Sequence, residues 1–157
     1  DYEKTLNDIY DKQQELAGRM TFKPTDVPHY MRVFRQRRAA EKTEGTAPAA
    51  GEMERMTRGC LAGTGFCFVS HTGTVQGCGY LTVPAGDVRQ QTFGQVWRES
   101  PLFNSLRNLD NLKGKCGACE FKRVCGGCRA RAYEETGDCL EAEPYCVYQP
   151  QACIGID

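Results

Sequence analysis

Apolar residues recur at helical spacing at the start of the chain. Tyr2, Leu6, Ile9, Tyr10 and Leu16 are separated by Lys, Asp and Glu, which predicts an amphipathic helix from Tyr2 to about Leu16. Ala17-Gly18 ends it, Gly18 being suited to a left-handed cap. The alternating stretch Met20-Thr21-Phe22-Lys23 predicts a short strand stopped by Pro24. Pro28 fits the first turn of a second helix, with Asp26 near its cap, running through His29, Tyr30, Met31, Arg32 and onward to Arg38. From Lys42 to Glu52 the apolar period disappears and small residues take over, as in a linker or mobile loop.

Beyond that break the period changes. Phe66-Cys67-Phe68-Val69-Ser70 and Thr74-Val75-Gln76-Gly77-Cys78 flank His71-Thr72-Gly73, a pattern that predicts a β-hairpin. Gly86-Asp87-Val88 reads as a connector. Thr92 can cap a helix carrying Phe93, Val96 and Trp97, and Ser100-Pro101 can open another carrying Leu102, Phe103, Leu106 and Leu109. Arg129 to Glu135 predicts a short helix ending near Gly137. The expected class is α+β, with an αβ arm over 1–41, a flexible linker over 42–56 and a cysteine-rich domain over 57–157.

Charge narrows the chemistry. The formal net charge of the 157 residues is +0, which argues against a general nucleic-acid binder. There is no apolar run long enough for a membrane span, and Asp1-Tyr2-Glu3-Lys4 is too polar for a signal peptide. An opening Asp inside a helical pattern leads us to expect a piece of a longer protein. Within this neutral chain Arg32, Arg35, Arg37, Arg38 and Lys42 make one locally basic segment. It reads either as a solvated helix face or as a set of guanidinium groups able to grip carboxylates in pairs. His29 reads first as a structural histidine, and with Tyr30, Arg32 and Arg35 it is kept as a substrate-binding candidate.

Ten cysteines in 157 residues need a cause. The even count permits a secreted disulfide scaffold, but the cysteines bunch in close pairs, which favours metal ligation in a reducing compartment such as the cytoplasm. In Cys116-x2-Cys119-x5-Cys125-x2-Cys128, four thiols fall within thirteen positions, with Gly117, Ala118, Gly126 and Gly127 leaving room for amides to approach sulfur. The hairpin brings Cys67 and Cys78 together, with Cys60 arriving from the preceding loop. Seventeen residues separate Cys128 from Cys146, enough for a helix to run out and the chain to return. Arg129 or Arg131 beside the thiolates would be electrostatically favourable. One zinc held by Cys116, Cys119, Cys125 and Cys128 would make a non-catalytic interaction module. Five residues between the pairs is tight for a ribbon, however, and Cys60, Cys67, Cys78 and Cys146 would go unused. Two four-iron clusters absorb all eight.

The series Cys60-x12-Gly73-x4-Cys78, then Cys116-x2-Cys119-x5-Cys125-x2-Cys128, then Cys146, resembles the SPASM domain, the auxiliary-cluster module of radical S-adenosylmethionine enzymes, over about residues 57–150. The spacing of the last close pair, two residues where three is usual, matches a variant with Cys125-Gly-Gly-Cys128-Arg129. Cys60-Leu-Ala-Gly-Thr-Gly-Phe-Cys67-Phe-Val-Ser-His71, Cys78-Gly-Tyr-Leu81, Cys125-Gly-Gly-Cys-Arg-Ala-Arg-Ala-Tyr133 and the Pro28-His-Tyr-Met-Arg32 arm are similar to the tetrapyrrole-modifying branch. That branch includes the iron-coproporphyrin decarboxylase (haem synthase), the didecarboxysirohaem deacetylase and the haem d1 biosynthesis enzyme. It would place a cysteine beside Pro-His-Tyr, where Asp26 and Val27 stand here.

The resemblance implies one [4Fe–4S] cluster on Cys60, Cys67, Cys78 and Cys128 and a second on Cys116, Cys119, Cys125 and Cys146, so that one or two auxiliary clusters are expected. Cys139 and Cys153 are left as free thiols or substitute ligands. S-adenosylmethionine and a further [4Fe–4S] cluster would belong to a missing N-terminal domain, since no Cys-x3-Cys-x2-Cys occurs in this chain. By itself the chain is then expected to be inactive, with residues 1–41 the last αβ element of a partial barrel. The implied substrate is an iron tetrapyrrole losing propionate carboxyls after hydrogen abstraction by a 5′-deoxyadenosyl radical. An auxiliary cluster would take the electron, and an electron donor or acceptor protein would be a further partner. Removal of sirohaem-type or haem d1 side chains, and peptide maturation, are the alternatives within the same enzyme class.

Overall fold

The computed structural model describes residues 1–20, 22–43, 45 and 58–153. Helix α1 (Tyr2–Glu15) buries Leu6 and Tyr10 of its predicted stripe, and helix α2 (His29–Thr43) buries Tyr30, Met31, Val33 and Phe34 together with His29, Arg32 and Arg38 of the segment read as basic. Leu6 and Tyr10 of α1 meet Tyr30, Met31, Val33 and Phe34 of α2 in one apolar cluster. Polar cross-links then fix the register of the pair. Arg32 donates to both carboxylate oxygens of Glu3 at 2.8 and 2.6 Å, Arg37 to Asp11 at 2.6 Å, and the Tyr10 hydroxyl to Glu41 at 2.8 Å. Tyr30 donates to Gln13 at 2.6 Å.

Two boundaries differ from expectation. Met20, Phe22 and Lys23 carry no strand, and Thr21 lies outside the described residues. Among the described residues this stretch pairs with no strand, and a lone extended segment has no partner for its backbone. Helix α2 runs to Thr43, two residues into the predicted linker, whose remainder at 44 and 46–56 lies outside the described residues.

The cysteine-rich part is built on a three-stranded antiparallel sheet in the order β1 (Phe68–Val69), β2 (Thr74–Cys78), β3 (Leu81–Asp87). β1 and β2 are the predicted hairpin, in register Phe68 to Gln76 and Val69 to Val75. β3 takes the place of the predicted connector. Pro84 and Gly86 disguise it in sequence. It is an edge strand, where a missing N–H is tolerated, and its pairing slips on either side of Gln76. Helices α3 (Phe93–Glu99), α4 (Pro101–Arg107) and α6 (Arg129–Thr136) cover the sheet through β3. Thr92 caps α3 in a reciprocal box with Gln95, the amide of Gln95 donating to the Thr92 hydroxyl at 3.3 Å and the Thr92 amide to the Gln95 side chain at 2.9 Å. Val75, Leu81, Val96, Phe103, Leu106, Ala130 and Cys139 form the core between them.

Between this core and the arm lies the short helix α5 (Gly114–Ala118), which carries Cys116. The arm reaches it through buried polar contacts. His29 and Glu143 hydrogen-bond with exposures of 1% and 0%, and Arg131 joins Glu143 at 2.6 Å and the carbonyl of Asp26 at 3.2 Å. Gly59 is threaded between Pro28 and the carbonyl of Cys125 so closely that a Cβ would lie 2.7 Å from one carbonyl oxygen and 2.9 Å from the other. No helix among the described residues is long and apolar enough to cross a membrane.

Candidate metal centres

Four thiols that are far apart in sequence converge beside α5. Cys116 on the helix, Cys119 at its C-cap, Cys125 in the following turn and Cys146 in the tail line one small cavity closed by His29, Arg32 and Glu143. Backbone amides are aimed at this sulfur set. The Gly127 amide donates to Cys125 Sγ at 3.4 Å and the Glu143 amide to Cys116 Sγ at 3.3 Å. Cys119 receives the amide of Phe121, and Cys146 that of Tyr148. An amide two residues after a cysteine, pointing back at its sulfur, stabilises a thiolate.

This arrangement holds only with small residues in the turn. Gly127 has φ +62°, and a Cβ there would meet Cys116 Sγ at 3.2 Å and the Glu143 Cβ at 2.9 Å. Arg129, 2% exposed, extends past it to bring Nη2 to 3.7 Å from Cys116 Sγ, while its Nη1 donates to the carbonyls of Cys139 and Glu141 at 3.1 and 2.8 Å.

The second set is looser. Cys60, Cys78 and Cys128 face a cavity of about 590 Å³, on whose wall Tyr30, Phe66 and Tyr80 also lie. The amides of Tyr80, in the β2–β3 turn, and of Leu81, which opens β3, point at Cys78, and Cys60 and Cys128 are near enough for their charge to act on it. Cys67 packs against the same core but is not on that wall. Cys139 is buried in the core, and Cys153 lies in a 3₁₀ turn, Gln151–Cys153, that touches α5.

Burial pushes the thiols of Cys67, Cys78, Cys119, Cys139 and Cys146 above the usual cysteine range, and that of Cys125 up to about 12. Bare, these groups are neutral. They become thiolates when a cation shares the cavity, which is the condition a bound metal group supplies. The donor set of four sulfurs met by amides and a buried guanidinium therefore fits an iron–sulfur group. It fits the four-thiolate zinc site less well. Cys128 is turned to the other cavity, and among the described residues no three His, Cys, Asp or Glu side chains gather closely enough to hold a single ion.

The substrate candidates from the arm fall in several places. His29 closes the sulfur cavity and pairs with Glu143. Burial alone would raise the Glu143 carboxyl, yet the hydrogen bonds and charges of His29 and Arg131 together hold it below the usual range. Arg32 is 2% exposed, committed to Glu3, and stands over the Tyr148 ring at 4.8 Å on the wall of the sulfur cavity. Tyr30 borders the larger cavity. Arg35 is half-buried, with its Nε unpartnered among the described residues. Glu143 was missed in sequence because an acid in Glu141-Ala-Glu-Pro144 looks solvated until the fold brings His29 to it.

Residues 60–129 match the SPASM family, described as an iron–sulfur cluster-binding domain. Over 150 residues the chain is 51% identical to the AdoMet-dependent heme synthase of Methanosarcina barkeri, a match covering 96% of this chain and 42% of that protein. The protein of the same name from Nitratidesulfovibrio vulgaris is 49% identical over 151 residues, 96% of this chain and 40% of that one. The PqqA peptide cyclase of Gluconobacter oxydans is 36% identical over 58% of this chain and 27% of its own length. The chain thus spans about two fifths of the heme synthases it matches.

Proposed function

From a chain that belongs, over residues 60–129, to the SPASM family of iron–sulfur cluster-binding domains, we propose the auxiliary-cluster portion of an S-adenosylmethionine-dependent haem synthase. The observation that carries this reading is the 51% identity to a protein of that activity across 96% of the chain. Cys116, Cys119, Cys125 and Cys146 would hold one [4Fe–4S] group, and Cys60, Cys67, Cys78 and Cys128 the other. Both sets are ligated as thiolates, so the protein would work in a reducing compartment such as the cytoplasm.

The parent reaction we infer is oxidative decarboxylation of propionate side chains on an iron coproporphyrin to give haem b. Once a hydrogen atom has been abstracted from the side chain, the carbon–carboxyl bond breaks, carbon dioxide leaves, a vinyl group forms and one electron remains to be accepted. A bound iron–sulfur group supplies a one-electron acceptor, which an electron-carrying partner protein would then discharge. This chain's residues hold and bury that group. Its larger cavity is lined by Tyr30 and by Phe66, Phe68 and Tyr80, the last three 52%, 41% and 66% exposed, and these three offer flat apolar faces suited to a macrocycle. Arg35 lines neither cavity, and it is kept as a propionate candidate because, unlike Arg32, it has no carboxylate partner among the described residues.

The test uses the full-length protein, reconstituted anaerobically and supplied with S-adenosylmethionine, reductant and iron coproporphyrin. Haem b and carbon dioxide should form. The 157-residue chain alone should bind iron and sulfide but form neither product. Product formation without iron in this domain, or no product from an iron-replete full-length protein, would refute the reading.

A further inference from the structure

Arg129 is a buried cation without a matching anion. It is 2% exposed, and no carboxylate oxygen lies within ion-pair distance of it among the described residues. Asp138 feels its charge but is paired to Lys113 at 2.5 Å. Nε donates to the Gly127 carbonyl at 3.4 Å, Nη1 to two further carbonyls, and Nη2 to Cys116 Sγ at 3.7 Å. A guanidinium held away from water by carbonyl oxygens alone is strongly unfavourable, so the sulfur set is the counter-charge this geometry provides.

Its place in the chain is as telling as its contacts. Arg129 directly follows Cys128, and it lines the larger cavity with Cys60, Cys78 and Cys128 while its tip reaches Cys116 Sγ, on the wall of the smaller one. The fixed charge therefore stands between the two sulfur sets with its terminal nitrogen on the Cys116 side. Arg32 adds a second buried guanidinium beside Cys125 and Cys146, though Glu3 offsets it, and Arg58, half-buried with its Nε unpartnered, lies toward Cys60 and Cys125.

We propose that Arg129 sets the reduction potential of the iron–sulfur group at Cys116, Cys119, Cys125 and Cys146, making it the more easily reduced of the two sites. This rests on the reading that both sets hold such groups. Adding an electron makes the site more negative, a nearby positive charge stabilises that state, and hydrogen bonds to sulfur act in the same direction. The electron released by the substrate would then come to rest at the site the arm helix closes off, walled by His29 and Arg32.

The experiment is a redox titration followed by electron paramagnetic resonance on the anaerobically reconstituted full-length protein, with Arg129→Gln and Arg129→Lys variants. The signal of the Cys116 set is identified by its loss in Cys146→Ala. Arg129→Gln should lower that midpoint so that the reduced-to-oxidised ratio at fixed potential falls about tenfold, about 59 mV for one electron. Arg129→Lys, which keeps the charge, should fall less. An unmoved midpoint with iron retained, or an equal shift at both sites, overturns the role of Arg129 alone. A wild-type protein that takes up no iron at these cysteines overturns the cluster reading as well. If Arg129→Gln loses its iron, the Lys variant decides: iron retained with a fall of less than tenfold supports the proposal, and no iron or a raised midpoint overturns it.

Discussion

His29, in the first turn of the arm's second helix, shares a buried hydrogen bond with Glu143, 114 residues further along the chain. The other oxygen of Glu143 takes Arg131, and the Glu143 amide points at Cys116 Sγ. One carboxylate thus ties the arm, helix α6 and the sulfur cavity into a single unit. Its contacts are internal, so removing a partner leaves charge that water cannot repair.

His29→Ala should therefore destabilise the metal-free chain by about 2–4 kcal/mol, from the Glu143 oxygen left unpartnered beside the one Arg131 holds, together with the space left by the ring. Chemical denaturation measures it. Glu143→Gln, which keeps the shape and removes the charge, should cost less. A His29→Ala chain as stable as the wild type would show that the arm does not depend on this contact.

Gly127 should tolerate no side chain. At φ +62° an alanine is strained, and its methyl would press on the Arg129 guanidinium, on Glu143 and on Cys116 Sγ together. Gly127→Ala is expected to lose iron from the Cys116 set while the Cys60 set keeps its own. Gly137→Ala is the control, since a Cβ there meets nothing within 4 Å despite a similar φ of +77°. Iron analysis of the two variants separates damage to the cavity from backbone strain alone.

Much of this architecture could be read before it was seen, and the failures share a cause. The helices of the arm, the hairpin and the Thr92 cap follow from local period and local capping, whereas the grouping of Cys116, Cys119 and Cys125 with Cys146 comes from the family resemblance and not from spacing, which by itself pairs Cys125 with Cys128. β3 escaped because Pro84 and Gly86 are tolerable only on an edge strand, a status fixed by the sheet and not by the segment itself. Arg32 read as a surface or substrate-binding charge because its partner, Glu3, comes from 29 residues earlier. The same limit hid Glu143. Long-range pairing decides whether a charge faces water, and no window along the chain contains both partners.

The tyrosines give a pH signature. Burial pushes Tyr30 up to about 12, the hydrogen bond to Glu120 does the same for Tyr148, and burial with the Glu41 hydrogen bond raises Tyr10 further. Each folded value is raised, so the native state holds these protons more tightly. Their stabilisation is complete below the unfolded value near 10 and is lost as pH climbs through about 12. For Tyr30 the loss is about 3 kcal/mol over that window. Burial raises Tyr2 as well, so phenolate absorbance of the metal-free chain should show four of the seven tyrosines ionising late, and stability should decline from pH 10 upward. All seven titrating together near 10 in the folded chain would refute the burial of the arm helices.

Cysteine substitution tests the division into two sets. Anaerobically reconstituted protein should carry about eight iron and eight sulfide in this part of the chain, and Cys146→Ala or Cys119→Ala should leave about four. Cys139→Ala should change neither count, since that thiol packs among Val75, Leu81 and Phe103 and acts as a small apolar group. Cys67 and Cys153 decide the remaining ambiguity. Cys67 belongs to the hairpin but stands off the wall shared by Cys60, Cys78 and Cys128, while Cys153 ends a 3₁₀ turn that touches the helix of Cys116. Binding iron at the looser site would have to draw Cys67 inward across the edge of β1, a strand of only two residues with exposed side chains and little to hold it in place. Cys67→Ala should accordingly fall to about four iron and Cys153→Ala should keep about eight. The reverse result would move Cys153 into a ligand set and make Cys67 part of the core.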